Sequence, residues 1–405
     1  MTVHVIGAGL AGLAAVLDLA EAGLPVQVHE ASPQAGGRAR ALPDGTDNGT
    51  HALVGANTAA LAFLARIGAR QGWVEPEPAG LPVLDLADGS ARRVALSPLG
   101  WGNKALRPAG ASWGAVLAMA RMALPGRDRP IAEAMAAHPE FHRGFVDPLV
   151  IATLNTPSVE ASSARLGQVL RRLGGPGATR LYVAEHGLGP DLVQPALAAI
   201  ARAGGAIRYG ARLRRIVQSG GRASALDFGE DSLLLGATDQ VVLATPPWES
   251  QRLLTHLQVP ARHAPIVNLH FERTGPGPVR FIGLLGALCQ WVLVRPGGVS
   301  VTVSAGDAEA GLAEDQLAPR AWGEILRAAA AFRIVGEWPL MTPPCRVVKE
   351  RRATPRHVPG EVLRPPRKPL ANLALAGDWS WPHLPATIDA AVRSGQAAAA
   401  ALRRG

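Results

Sequence analysis

Cysteine is almost missing from this chain, with only Cys289 and Cys345 among 405 residues. Two thiols cannot build a disulfide framework for this length, and neither sits in a paired, metal-type spacing. A reducing compartment and no metal site are therefore expected. Aromatics are equally sparse at 4%, with two tyrosines, Tyr182 and Tyr209. So few rings make an aromatic cage for a cationic amine hard to assemble. No window reaches the eighteen or more apolar residues that a membrane span requires. The first strand begins at Thr2 or Val3, so no charged leader or cleavage site precedes it. Repeats and low-complexity tracts are absent as well. The expected location is cytoplasmic, either free or peripheral at the inner membrane.

What is present describes a globular protein. Hydrophobic residues make up 48% and charged residues 18%, and the length suits two or three subdomains. The net charge of +9 is almost all Arg, scattered along the chain. Nucleic-acid binders gather such charge into a stripe with aromatics nearby, so no nucleic-acid partner is expected. A genome whose codons favour Arg and Ala explains the excess. An anionic membrane surface is the remaining partner that the charge would suit.

The N-terminal forty residues carry the strongest pattern. Val3-His4-Val5-Ile6 reads as a strand buried in a parallel sheet. It runs into Gly7-Ala8-Gly9-Leu10-Ala11-Gly12, the spacing of a dinucleotide fingerprint. Gly7 permits the turn, Gly9 lets the backbone approach a pyrophosphate, and Gly12 lets the helix pack close to the strand. The helix should stop at Gly23, with its N-terminal amides facing the diphosphate. The next strand, Val26 to Glu30, ends in a carboxylate suited to ribose hydroxyls and hostile to a 2′-phosphate. Ala31 follows it. Gly36-Gly37-Arg38 then offers a bare backbone and a guanidinium to a diphosphate or flavin; a solvated surface turn is the plainer alternative. No second GxGxxG follows a strand, so direct reduction through a second dinucleotide domain is not expected.

Downstream, Leu192 to Ala203 reads as a helix, and Asp239 to Ala244 reads as a buried strand before Thr245-Pro246-Pro247. Leu373 to Ala376 is another buried strand. Gly377-Asp378-Trp379 follows it, and a last helix opens near Thr387-Ile388. The nucleotide unit is thus expected from residues 1–85, 180–255 and 366–405. The substrate portion is expected from 86–179, mostly helical, and 256–365, rich in strands.

These motifs, with Asp47-Asn48-Gly49-Thr50-His51, Leu154-Asn155-Thr156-Pro157 and the tail from Leu375 to Ile388, resemble the flavin amine oxidase and phytoene desaturase superfamily. Within it the chain is most similar to the squalene-associated, FAD-dependent desaturase-like group, the hydroxysqualene dehydroxylases. The resemblance spans nearly the whole chain. It implies an α/β fold: a Rossmann-like FAD-binding domain of glutathione-reductase type with a discontinuous, mixed α+β substrate domain. It also implies that Gly7, Gly9, Leu10, Ala11, Gly12, Glu30 and Ala31 hold the ADP half of FAD. Gly36, Gly37 and Arg38 would lie near the diphosphate, and Leu213 would meet the adenine. Gly377 and Asp378 would sit by the ribityl-diphosphate, and Thr387 and Ile388 by the isoalloxazine.

The implied activity removes the hydroxyl of hydroxysqualene, using reduced FAD and an external electron donor. The substrate is a long apolar isoprenoid, and the pathway is that of squalene and hopanoids. Hydroxide leaves poorly, so a positioned acid is expected. His51 is the candidate, with Asp47 as its orienting partner and Asn155 as a hydrogen-bond donor to the substrate oxygen. Asp47 as a loop-fixing residue and His51 as a packed histidine are the alternatives. A carotenoid-type desaturase or isomerase and a non-catalytic prenyl-lipid carrier are the competing functions. Finally, Trp101 to Leu124 carries Trp101, Trp113, Val116, Leu117, Met119, Met122 and Leu124, with Lys104, Arg107, Arg121 and Arg127 around them. That mix suits either an interfacial membrane segment or a helix buried in the substrate domain.

Overall fold

The computed structural model describes residues 1–403 apart from 274 and 276. Val3–Ile6 is buried at every position, as a strand covered on both faces must be. It pairs in parallel with Val26–His29 on one side and Gln240–Leu243 on the other. Ala206–Arg208 and Leu373–Leu375 extend the two flanks. The result is a five-stranded parallel sheet whose strands come from three distant stretches of chain. The fold is α/β with a Rossmann-like nucleotide unit.

The helix Leu10–Glu21 buries ten of its twelve residues. It ends where Gly23 takes φ +76° and the amides of Gly23 and Leu24 fold back onto the carbonyls of Ala20 and Leu19, satisfying its last turn. The final helix, Ile388–Arg403, crosses it at very short range. A Cβ added to Gly395 would lie 2.1 Å from the Ala11 carbonyl oxygen, so only a glycine permits the approach. That crossing brings the two ends of the chain into one site.

A second, seven-stranded sheet runs in the order Cys345–Pro355, His263–Glu272, Gly298–Ser304, Trp291–Arg295, Arg280–Leu285, Leu81–Asp85 and Ala91–Val94. One face packs against the helix Glu314–Ala331 through Val267, Leu269, Val301 and Trp322. The other face meets the helices of 113–173 through Leu81, Val83, Phe281 and Leu293. Leu81–Asp85 pairs with Arg280–Leu285, so this strand lies in the second sheet, although the expected boundary assigned it to the nucleotide unit. Its side chains explain the difference: Leu81 and Val83 enter the second core, and Asp85 is held there by Arg143 at 2.6 and 2.7 Å. The long helix Glu314–Ala331 was not foreseen in the strand-rich stretch.

The segment Trp101 to Leu124 divides between the two readings open for it. Trp101, Met119 and Met122 are core residues, whereas Trp113, Leu117 and Leu124 face outward. No described helix is long and apolar enough to cross a membrane.

Candidate cofactor and active site

The glycine turn is built by close contacts. Gly7 takes φ +105°, and a Cβ there would lie 2.6 Å from the Ala244 carbonyl oxygen. At Gly12 a Cβ would fall 2.0 Å from the Gly7 carbonyl oxygen, so the helix could not seat on the strand. Gly9 differs, because its φ is −71° and the nearest atom to an added Cβ is Gly37 Cα at 4.0 Å. Its side-chain position therefore opens into a cradle. The amides of Ala11 and Gly12 donate to no protein acceptor among the described residues, and the helix dipole adds positive potential there.

Glu30 follows the strand Val26–His29 directly and is anchored by the amides of Ala8 at 2.6 Å and Ser32 at 2.8 Å. Gly36 returns the chain to the first turn, its amide donating to the Ala8 carbonyl at 2.8 Å. Gly36 and Gly37 both have positive φ, which two successive non-glycine residues would not tolerate. Arg38 then reaches across the molecule. One amine donates to Asp378 Oδ1 at 2.6 Å and the other to the Ala353 carbonyl. Residues 340 positions apart are thereby tied at the edge of the cradle, Asp378 being buried.

Gly377 donates its amide to Ser394 Oγ at 2.9 Å, and Thr387 caps the last helix through Ala390 at 3.1 Å. Ile388 is buried in the first core. Leu213 is also buried, and Arg252 occupies its carbonyl at 2.8 Å.

The second group of expected residues lies where the loop 47–51 meets the seven-stranded sheet. Asp47 is buried and accepts from the Leu188 amide at 2.7 Å and Arg295 at 3.1 Å. The expected contact from Asp47 to His51 is not made. His51 Nδ1 instead pairs with the Gly49 carbonyl at 2.9 Å. A carbonyl can only accept, so Nδ1 carries the proton and Nε2 presents a lone pair. Burial is the main reason the His51 pKa falls below its ordinary value, and the Asp47 charge partly opposes this.

Asn155 is also corrected. Its amide donates to the Ala264 carbonyl at 3.3 Å and Thr354 Oγ1 at 3.0 Å, and its oxygen accepts from Ala305 at 2.6 Å. With both amide hydrogens committed and φ at +45°, it joins the helix end to the second sheet and has no hydrogen left for a substrate.

Asn268 was missed and has what Asn155 lacks. It is buried on the strand His263–Glu272, and its oxygen accepts from Thr302 Oγ1 at 3.0 Å and the Thr50 amide at 3.3 Å. Its Nδ2 donates to no protein acceptor among the described residues. A Cβ on Gly49 would lie 3.2 Å from that nitrogen and 3.6 Å from His51 Cε1, so both side chains border one point. The Thr50 hydroxyl is buried without a partner. Two further residues, buried Arg165 and His357, hold the tail: Arg165 donates to the Pro382 carbonyl at 2.7 Å, and His357 Nε2 faces the Ala386 amide at 3.4 Å. Burial, then the Arg165 charge, pushes the His357 pKa to about 3. Helical spacing puts Arg165 in line with apolar Val169, a signal available in the sequence; Asn268 and His357 had none.

A profile of the family described as flavin containing amine oxidoreductase matches residues 10–403. The chain is 39% identical to a hydroxysqualene dehydroxylase of Rhodopseudomonas palustris, covering 98% of this chain and 97% of that protein. A protein of the same name from Sinorhizobium fredii is 36% identical over the same shares. The chain belongs to this flavin-containing family. Among solved structures, cyclohexylamine oxidase from Brevibacterium oxydans superposes with a TM-score of 0.74 over 100% of this chain and 98% of that one. At 17% identity that likeness concerns the fold alone.

As a member of this flavin-containing family the chain uses FAD, and its residues fit that cofactor. The cradle beside Gly9, which a Cβ would fill, suits a diphosphate against free helix amides. Nearby, His263 Nε2 is buried without a partner, and Arg38, Arg352 and Asp378 all act on its pKa, which burial lowers. A polar ligand edge would satisfy that nitrogen. Among the described residues, no group of three or more His, Cys, Asp and Glu is arranged to hold a metal ion.

Proposed function

We propose that this protein converts hydroxysqualene to squalene. The observation that carries the proposal is the likeness to proteins of that name over 98% of the chain. In the reaction a C–O bond breaks, a C–H bond forms and the hydroxyl leaves as water. Bound in its reduced form, FAD would supply the hydride equivalent, and an external donor would restore it. The chain's own residues exclude water, hold the oxygen and deliver the proton. Asn268 Nδ2 holds the substrate oxygen in place of Asn155. His51 delivers the proton from Nε2 as the imidazolium. Its Nδ1 bond to Gly49 orients the ring, the part first expected of Asp47, while the Asp47 charge favours the imidazolium through space. The glycine turn, Glu30, Arg38, Asp378, Thr387 and Ile388 form the FAD site.

An amine substrate is poorly served. Tyr182 lies under the Arg70 guanidinium at 4.3 Å, and Tyr209 is exposed, so the two tyrosines do not make a cage. The substrate is strongly apolar, and a peripheral position on a membrane surface would supply it. The test is anaerobic: photoreduced protein is mixed with hydroxysqualene and the lipid is identified by mass spectrometry. Squalene in proportion to flavin is expected. Recovery of unchanged hydroxysqualene from fully reduced protein would reject the proposal.

A further inference from the structure

Between Asp88 and Asp128 the chain contains no acidic residue, although six basic ones fall there. The helix Trp113–Arg121 stands in the middle of this run. Its inner face is fixed, with Ala115, Met119 and the following Met122 packed in the helical core over the second sheet. Its outer face is apolar too. Trp113 is 91% exposed, Leu117 52% and Leu124 64%, and Leu99 on the turn Pro98–Gly102 earlier in the same run is 88% exposed. Trp113 and Leu117 are one turn apart on the same face of the helix, and Leu124 follows shortly after the helix ends at Arg121. Four large apolar side chains exposed within one short stretch of chain are unusual on a protein that stays in water.

The geometry points to an anionic lipid bilayer as what covers these side chains: Trp113, Leu117, Leu124 and Leu99 enter the acyl boundary, and the surrounding bases meet the headgroups. Charge complementarity selects lipid over other apolar partners. Arg121 and Arg127 flank Leu124, both exposed, and no carboxylate pairs with either among the described residues. Basic side chains beside an apolar face suit the surface of an anionic leaflet. A second exposed apolar patch makes the contrast. Leu340 and Met341 are 91% and 83% exposed, but Glu337 is nearby in sequence, and Glu314 and Asp315 line a recess with Thr342. Acidic surroundings would be repelled by the same leaflet. The inference deepens the peripheral-membrane part of the proposed function. Vesicle binding is read without substrate, so its failure is distinct from a failure of the dehydroxylation reading.

The experiment floats FAD-loaded protein with phosphatidylcholine vesicles, with and without phosphatidylglycerol. Wild type is expected to float with the anionic vesicles and to be released as salt rises. Trp113→Asp with Leu117→Asp should lower the bound fraction by roughly tenfold or more, flavin content being unchanged. Arg121→Glu with Arg127→Glu should weaken binding to anionic vesicles only. Leu340→Asp with Met341→Asp should float as wild type does. Wild-type flotation of the Trp113/Leu117 variant would overturn the inference. So would a wild type that ignores vesicles and forms a dimer that this variant dissociates, since a second copy would then cover these side chains.

Discussion

The nucleotide half and the substrate half of this site are made of different material. Around Gly7, Gly9 and Gly12 the binding surface is mainly backbone, shaped by residues that have no side chain. Around His51 and Asn268 it is side chains, His51 held by the Gly49 carbonyl in its own loop and Asn268 by Thr302 and the Thr50 amide from distant stretches of chain. A backbone site depends on local spacing and a few steric rules. A side-chain site depends on which strands lie side by side, which no short motif encodes.

The largest expected effect tests the backbone half. Gly9→Val should abolish flavin binding outright while the protein still folds. The added Cβ meets nothing nearer than Gly37 Cα at 4.0 Å, so it obstructs the cradle without a clash in the protein. Gly12→Val should instead damage the fold, because its Cβ would strike the Gly7 carbonyl. Flavin absorbance measured beside circular dichroism separates the two. A yellow Gly9→Val protein would remove the distinction on which the comparison rests.

The next effect belongs to the substrate half. His51→Phe, in protein that keeps its FAD, should lower turnover by about a hundredfold. The pH dependence should change with it. Burial holds the folded pKa below 6.5, so imidazolium is scarce at pH 7 and accumulates as pH falls through the lowered value. Turnover should rise in that direction in wild type and stay flat in the variant. The sign for stability is opposite. The unfolded chain takes up a proton from 6.5 downward and the folded chain only below its lower value, so acid weakens folding. A pH profile that is the same in both proteins would remove His51 as the proton donor.

How much of this was legible follows the same division. The parallel strand, the fingerprint helix, its stop at Gly23 and the carboxylate of Glu30 are all local, and they stand where their spacing puts them. The Arg38–Asp378 pair was half legible: both residues were singled out, but their contact across 340 positions depends on the final helix crossing at Gly395. Asn155 and Asn268 were not separable in advance, since each is an asparagine in an apolar stretch. Only the pairing of His263–Glu272 with Gly298–Ser304 turns one Nδ2 toward the loop 47–51. Asp389 is a similar case. It reads as a first-turn helix acid, yet it is fully buried and accepts the Ala59 and Ala60 amides of another helix at 2.8 and 3.0 Å.

The asparagines sharpen the comparison at a smaller scale. Asn155→Ala should lower stability by about 3 kcal/mol, from three lost hydrogen bonds and a residue left at positive φ. Turnover per folded molecule should change little, because the side chain has no hydrogen to offer the substrate. Denaturant melts and active-site-normalised rates read the two separately. A variant of normal stability with a large loss of turnover would return Asn155 to the chemistry.

The smallest effect expected is at Thr50, in the same loop as His51. Its hydroxyl is buried and has no partner, a condition that costs about 1–3 kcal/mol in a folded protein unless something else accepts or donates. Valine has nearly the same shape without the hydroxyl. If Thr50 only packs, Thr50→Val should raise the melting temperature by about 2 °C and leave the kinetics alone. If the hydroxyl meets the substrate oxygen beside Asn268 Nδ2, the same gain in stability should come with a KM for hydroxysqualene raised by about threefold, the loss of one weak neutral hydrogen bond. The second result is the expected one, because His51 and Asn268 both border Gly49 and Thr50 is the next residue in that loop. A melting temperature that falls instead would mean that the hydroxyl has a partner within the protein, and the polar patch would then reduce to His51 and Asn268.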